Sequence, residues 1–152
     1  MFASVILDTL TTWVMVSQHR GFEQNPILFP LIRHSLIWIP IYLLCRPLLV
    51  PFVPELCRSA FSVYFGLDGL TGGVNNLTGI LYGRYFLMDT FGFPVVQGAS
   101  VTIAVAVFVW GLCRRASSVQ ERKHHIIVGL CWIGIFLLLE LIFFAVGKIA
   151  LS

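Results

Sequence analysis

From residue 126 to residue 147 the chain runs for twenty-two positions with one charged side chain, Glu140. About 20 consecutive apolar residues is the length at which a helix crosses the hydrocarbon of a bilayer. The rest of the chain is similar in character. Hydrophobic residues make up 58% and charged residues 11%, against about 25% charged in soluble domains. No water-soluble fold of this size covers so much apolar surface, so lipid is expected to cover it. The net charge of +3 comes from ten Lys/Arg scattered among seven Asp/Glu. So small and dispersed an excess argues against a nucleic-acid partner and leaves the lipid bilayer as the expected one.

Five segments are long and apolar enough to span: residues 1–17, 26–45, 59–82, 98–113 and 126–147. The first has no basic residue before it and is interrupted by Asp8, so it is expected to stay as a span rather than act as a cleaved signal. The expected fold is a single all-α domain over 1–152, a polytopic transmembrane helix bundle of five spans. The third segment is the least apolar, with Asp68, Asn75, Asn76 and five glycines. The alternative therefore keeps four spans and makes that Gly-rich segment re-entrant, with a break near Gly72–Gly73. Asn25 and Pro26 suit the start of the second helix, and Pro40 predicts a kink within it. Residues 46–58 contain three prolines and are expected to form a surface loop.

Basic residues set the expected orientation. Arg46, Arg58, Arg114, Arg115, Arg122 and Lys123 fall on one side of a five-span chain; Arg20, Arg84 and Lys148 fall on the other. The positive-inside tendency then puts the N-terminus in the cytoplasm and the C-terminus outside, in a cytoplasmic (inner) membrane. Cys45, Cys57, Cys113 and Cys131 all fall towards the inner side, where thiols stay reduced. No CxxC or Cys–His spacing suggests a metal site, and no cofactor motif is present.

Ionisable groups inside spans cost roughly 2.5–3.5 kcal/mol each on insertion scales and should face the bundle interior. Asp8, Arg33, His34, Asp68 and Glu140 qualify, with Asn75 and Asn76 adding uncharged polarity. At a rise of ~1.5 Å per residue they sort into two layers. The outer layer holds Arg33, His34, Glu140 and the Asn pair, and an Arg33–Glu140 ion pair is the simplest expectation. The inner layer holds Asp8 and Asp68, two carboxylates with no base in sight. Asp8, Thr11, Thr12 and Met15 share one helix face, suited to interhelical hydrogen bonding. In the third span Asp68, Gly72, Asn75/Asn76 and Gly79 form a stripe that should face protein. The Gly69–Gly73 and Gly79–Gly83 steps suit close approach of a neighbouring helix, a partner subunit or a second copy of the chain. Asn76-Leu77-Thr78 matches a glycosylation sequon but lies within a span.

Leu7-Asp8 with Thr12, then Gly21, Glu23, Asn25 and Pro26 before the second span, and Asn75-Asn76 in the third, form a recognisable string. Over about residues 5–82 it resembles a family of small, uncharacterised membrane proteins of bacteria and archaea. The resemblance implies a compact helical unit and no activity; residues 83–152 add a loop and two spans beyond it. No catalytic motif is visible. The leading expectation is an accessory or structural membrane protein with a packed polar cluster. The alternatives are a small carrier or channel using Asp8, Asp68, Asn75 and Asn76, a membrane enzyme for lipid or polyprenyl substrates with Asp8, Glu23 or His34 as acid–base groups, and a protonation sensor.

Overall fold

Among the described residues each of the five apolar segments is mostly helix. The computed structural model describes residues 1–18 and 27–151; it is 89% helical, with no strand among the described residues. In chain order the helices are α1 (Phe2–Ser17), α2 (Leu28–His34), α3 (Trp38–Leu49), α4 (Glu55–Tyr82), α5 (Phe86–Phe91), α6 (Phe93–Arg115) and α7 (Val119–Leu151), with a 3-10 turn at Val50–Phe52. Two helices are long and apolar enough to cross a membrane, over Pro94–Arg115 and Val119–Val146. Only 17% of each is buried within the chain. Val101, Val105, Val109, Ile127, Leu130, Leu137, Leu138 and Leu141 lie open on the outside. The core helix of a soluble protein would be mostly buried.

The expected second span is two helices. Ser35 is extended (φ −160°, ψ 138°) and ends α2; its hydroxyl then accepts from the Ile37 N–H at 3.4 Å ahead of α3. A serine that bonds nearby backbone competes with the helix ladder. The break therefore falls at Ser35, not at Pro40, which sits in the first turn of α3, where its missing N–H is harmless. The expected proline loop is also mostly helix. α3 runs through Pro47, whose ring falls in the last turn, and only Val53 and Pro54 separate the 3-10 turn from α4.

α4 is continuous over 28 residues, about 42 Å. It does not break at Gly72–Gly73 or fold back. It ends where Gly83 takes a left-handed conformation (φ 66°) and returns its N–H to Gly79, as a helix C-cap requires. The glycines of α4 serve α1. A Cβ at Gly69 would stand 2.8 Å from the Val5 Cα, one at Gly72 2.6 Å from Asp8 Oδ1, and one at Gly73 2.9 Å from Leu7 Cγ. Met1 faces Gly66, Val5 faces Gly69 and Asp8 faces Gly72, so α1 and α4 run parallel in near-constant register.

The other directions follow from side-chain partners. Arg46 meets Glu140 while Trp38 and Tyr42 meet Phe143, so α3 and α7 are antiparallel. Asp68 meets Gln97 and Glu55 meets Arg115 at 2.9 Å, so α4 and α6 are antiparallel. Phe61 and Phe65 both stack near Phe136 and Cys57 lies beside Gly129, so α4 and α7 are parallel. Successive long elements thus alternate in direction. The start of α7 is a capping box: Ser118 Oγ accepts from the Glu121 N–H at 3.1 Å, while Glu121 Oε2 accepts from the Ser117 N–H and hydroxyl, both at 2.7 Å.

Two outcomes test this architecture. Gly69→Leu must push α1 off α4 and should lower stability by about 2 kcal/mol or more in a detergent melt. Gly98→Ala, where a Cβ meets open space, should be neutral or slightly stabilising. The hydrogen bonds from Ser117 hold the Glu121 carboxyl below its ordinary value of about 4.5. A lowered folded pKa means that the cap is complete above about 4.5 and is lost as pH falls through the lower folded value. Amide exchange in the first turn of α7 should therefore accelerate on acidification, and Glu121→Gln should abolish that pH step.

Candidate functional site

Tyr42 and Arg46 stand one turn apart on α3, on the same face, and both are buried, Arg46 at 8% exposure. Arg46 Nη1 donates to Glu140 Oε1 at 3.0 Å, and the Tyr42 hydroxyl donates to Glu140 Oε2 at 2.7 Å. Arg46 Nη2 lies 3.7 Å from Asp68 Oδ2, close enough for charge attraction but outside hydrogen-bond distance. Gln97 Nε2 completes Asp68 by donating to Oδ1 at 2.6 Å. One network thus joins α3, α4, α6 and α7. The guanidinium lies 4.5 Å above the Tyr42 ring and 5.7 Å from that of Phe65, a cation–π seat that offsets part of its desolvation. Its Nε is buried with no hydrogen-bond partner.

A second polar seam lies between α1 and α4. Asn76 Nδ2 donates to Thr12 Oγ1 at 2.7 Å and to Asp8 Oδ1 at 3.1 Å, and the Thr12 hydroxyl donates to the same Asp8 oxygen at 3.3 Å. Asp8 and Asn76 are 9% exposed and Thr12 is 2% exposed. Gly72 leaves the space that the Asp8 carboxylate fills. Asn75 Oδ1 accepts from the Met88 N–H at 3.2 Å and Thr78 Oγ1 from the Phe86 N–H at 3.2 Å, docking α5 onto the end of α4. The sequon asparagine is therefore committed to an interior contact.

Between α4, α6 and α7 runs a cavity of about 390 Å³. Phe61, Phe65, Phe108 and Phe136 form much of its wall; Tyr64, Arg46 and Glu140 bring polar groups to it. Val101, Val105, Leu130 and Leu137 also line it and are themselves exposed, so the groove opens sideways onto the apolar outer face. The Tyr64 hydroxyl has no hydrogen-bond partner among the described residues.

Several expectations need correction. Glu140 pairs with Arg46 rather than with Arg33. Arg33 and His34 end α2, exposed, where the helix dipole favours cations, and Arg33 lies 4.6 Å over the Phe29 ring. Asp8 and Asp68 do not share a site: Asp8 belongs to the α1–α4 seam and Asp68 has a base, Arg46. The Gly69–Gly73 step is used within the chain, against α1. Gly21, Glu23, Asn25 and Pro26 lie outside the described residues. The interior stripe on α4 is as expected, with Gly72 and Asn76 facing α1 and Gly79 facing Tyr85. The sequence reading missed Arg46, Tyr42 and Gln97. The signals for them were the i, i+4 spacing of Tyr42 and Arg46 and the apolar run Leu48-Leu49-Val50 continuing beyond Arg46. The chain matches no family model, and neither the curated proteins nor the solved structures contain a match.

Removing one partner of a buried pair leaves a naked charge, at a cost of about 3–5 kcal/mol. Arg46→Met should therefore destabilise the bundle by about that much in a detergent melt. Arg46→Met combined with Asp68→Leu and Glu140→Met should recover most of the loss, because no charge is then stranded.

Proposed function

We propose that this chain is a multi-pass integral membrane protein of the cytoplasmic membrane, in which the intramembrane polar groups hold five spans in register: an accessory or structural membrane protein. The observation that carries this reading is the network of Arg46, Asp68, Glu140, Tyr42 and Gln97, which ties four helices together from sites far apart in sequence. Buried polar groups that satisfy one another across helices are what a bundle in hydrocarbon requires. The exposed apolar faces of α6 and α7 support contact with lipid or a partner subunit. On these faces Gly98 and Gly134 have open space beside them, whereas Gly69 and Gly73 are taken by α1.

The alternating directions of α1, α3, α4, α6 and α7 support five crossings, with α2 and α3 together making the second. Moving Arg46 from the inner loop into the bundle leaves Arg58, Arg114, Arg115, Arg122 and Lys123 on the inner side, still the more basic one. Asp8 and Asp68 hold separate partner sets, which favours a structural role over a shared ion site.

The location of the termini tests the span count. Five crossings put Met1 and the C-terminus on opposite sides. Two crossings, by α6 and α7 alone, put both on one side. Reporter fusions at each terminus, one active only in the cytoplasm and one only outside it, should report the N-terminus inside and the C-terminus outside. Both termini on one side would reject the five-span bundle.

A further inference from the structure

We infer that the groove between α4, α6 and α7 is a binding site for a lipid-soluble quinone, a flat ring carrying carbonyl acceptors on a hydrocarbon tail. This goes beyond the structural role proposed above and rests only on the membrane placement of the bundle.

The hydrogen-bond inventory of the groove points to an acceptor. Arg46 has five N–H donors. Nη1 serves Glu140, Nη2 stands 3.7 Å from Asp68, beyond hydrogen-bond distance, and Nε is buried behind them. Tyr64, on the same wall, has a hydroxyl without a hydrogen-bond partner among the described residues. The Tyr64 hydroxyl and Arg46 Nη2 are thus donors with spare capacity on two residues that line one apolar groove, and no described side chain accepts a hydrogen bond from either.

Charge then selects among acceptors. The network already carries two carboxylates against one guanidinium, so an anionic headgroup would add to an existing excess of negative charge. A neutral carbonyl adds none. Shape selects further. Phe61, Phe65, Phe108 and Phe136 line the groove, with ring centroids of Phe61 and Phe136 4.8 Å apart and those of Phe65 and Phe136 5.1 Å apart. Such a wall suits offset or edge contacts with a flat ring. The groove volume of about 390 Å³ lies within the roughly 300–1,000 Å³ usual for small-molecule sites. Its open side, along Val101, Val105, Leu130 and Leu137, leaves a tail free to lie in the bilayer.

The test is binding of decylubiquinone to the full-length protein in detergent, followed by quenching of Trp132, whose ring lies 6.3 Å from that of Phe136. Saturable quenching is expected. Tyr64→Phe should weaken it about tenfold while leaving the melting temperature nearly unchanged. Val101→Trp, which fills the groove from its exposed side, should abolish it. Decylbenzene, with the tail and a ring but no carbonyl, should bind at least tenfold more weakly than decylubiquinone. Equal binding of decylbenzene, or no effect of Tyr64→Phe, would reduce the groove to a resting place for acyl chains and overturn the proposal. Tighter binding of tetraphenylphosphonium than of decylubiquinone would also overturn it, by showing that the carboxylates select a cation. None of these outcomes depends on the span count, which the terminal reporters decide separately.

Discussion

A guanidinium in the interior of an apolar bundle cannot be left alone, and the tertiary arrangement is organised around that constraint. Arg46 is 8% exposed and finds its counter-charges on α4 and α7, whose contributing residues are 22 and 94 positions away in sequence. Both carboxylates are themselves braced, Asp68 by Gln97 and Glu140 by Tyr42. For a bundle in hydrocarbon, as proposed for this chain, the hydrophobic effect offers little preference between a neighbouring helix and a lipid tail. Directional polar contacts are then the terms that distinguish one helix arrangement from another. The same contacts in water would be exchangeable with solvent.

The α1–α4 seam uses a different kind of adhesion. There the backbones approach closely because Gly69, Gly72 and Gly73 have no side chains to hold them apart. The Asp8–Thr12–Asn76 bonds then fix the register that the close approach permits. The two devices are linked through α4. Asp68 and Gly72 are one turn apart, so the ion network and the glycine seam lie on adjacent turns of one uninterrupted helix. A rotation of α4 that improved one would degrade the other.

The helical class, the two long apolar helices α6 and α7 and the interior stripe of α4 were legible because each depends on local pattern. Segment length identifies a span, and the i, i+4 positions of Asp68, Gly72 and Asn76 identify a face. The pairing of Arg46 with Glu140 was not legible, because Pro47 beside Arg46 reads locally as the end of a helix. In the fold α3 nevertheless continues through Pro47 to Leu49, although the ring takes one N–H out of its ladder. The Arg33–Glu140 pairing rests on depth alone, with one continuous helix over 26–45. With Ser35 dividing that segment, Arg33 and His34 end α2, and it is α3 that brings Tyr42 and Arg46 to Glu140. Ser35 is a modest breaker beside Pro40, and nothing in its immediate neighbours marks it as the stronger one.

The groove follows from how α6 and α7 are attached. A connection of three residues, Ala116–Ser118, would ordinarily leave two antiparallel helices packed side by side. Here α6 is held to α4 by Gln97 at one level and by Arg115 with Glu55 at another. α7 is drawn instead towards α3 by Tyr42 and Arg46 acting on Glu140, and towards α2. The two helices are thus held by different partners, and they touch where Phe108 lies against Gly129. The four phenylalanines, Tyr64, Arg46 and Glu140 line the groove left between these helices and α4. The site is thus a consequence of satisfying Arg46 rather than a separate feature added to the bundle.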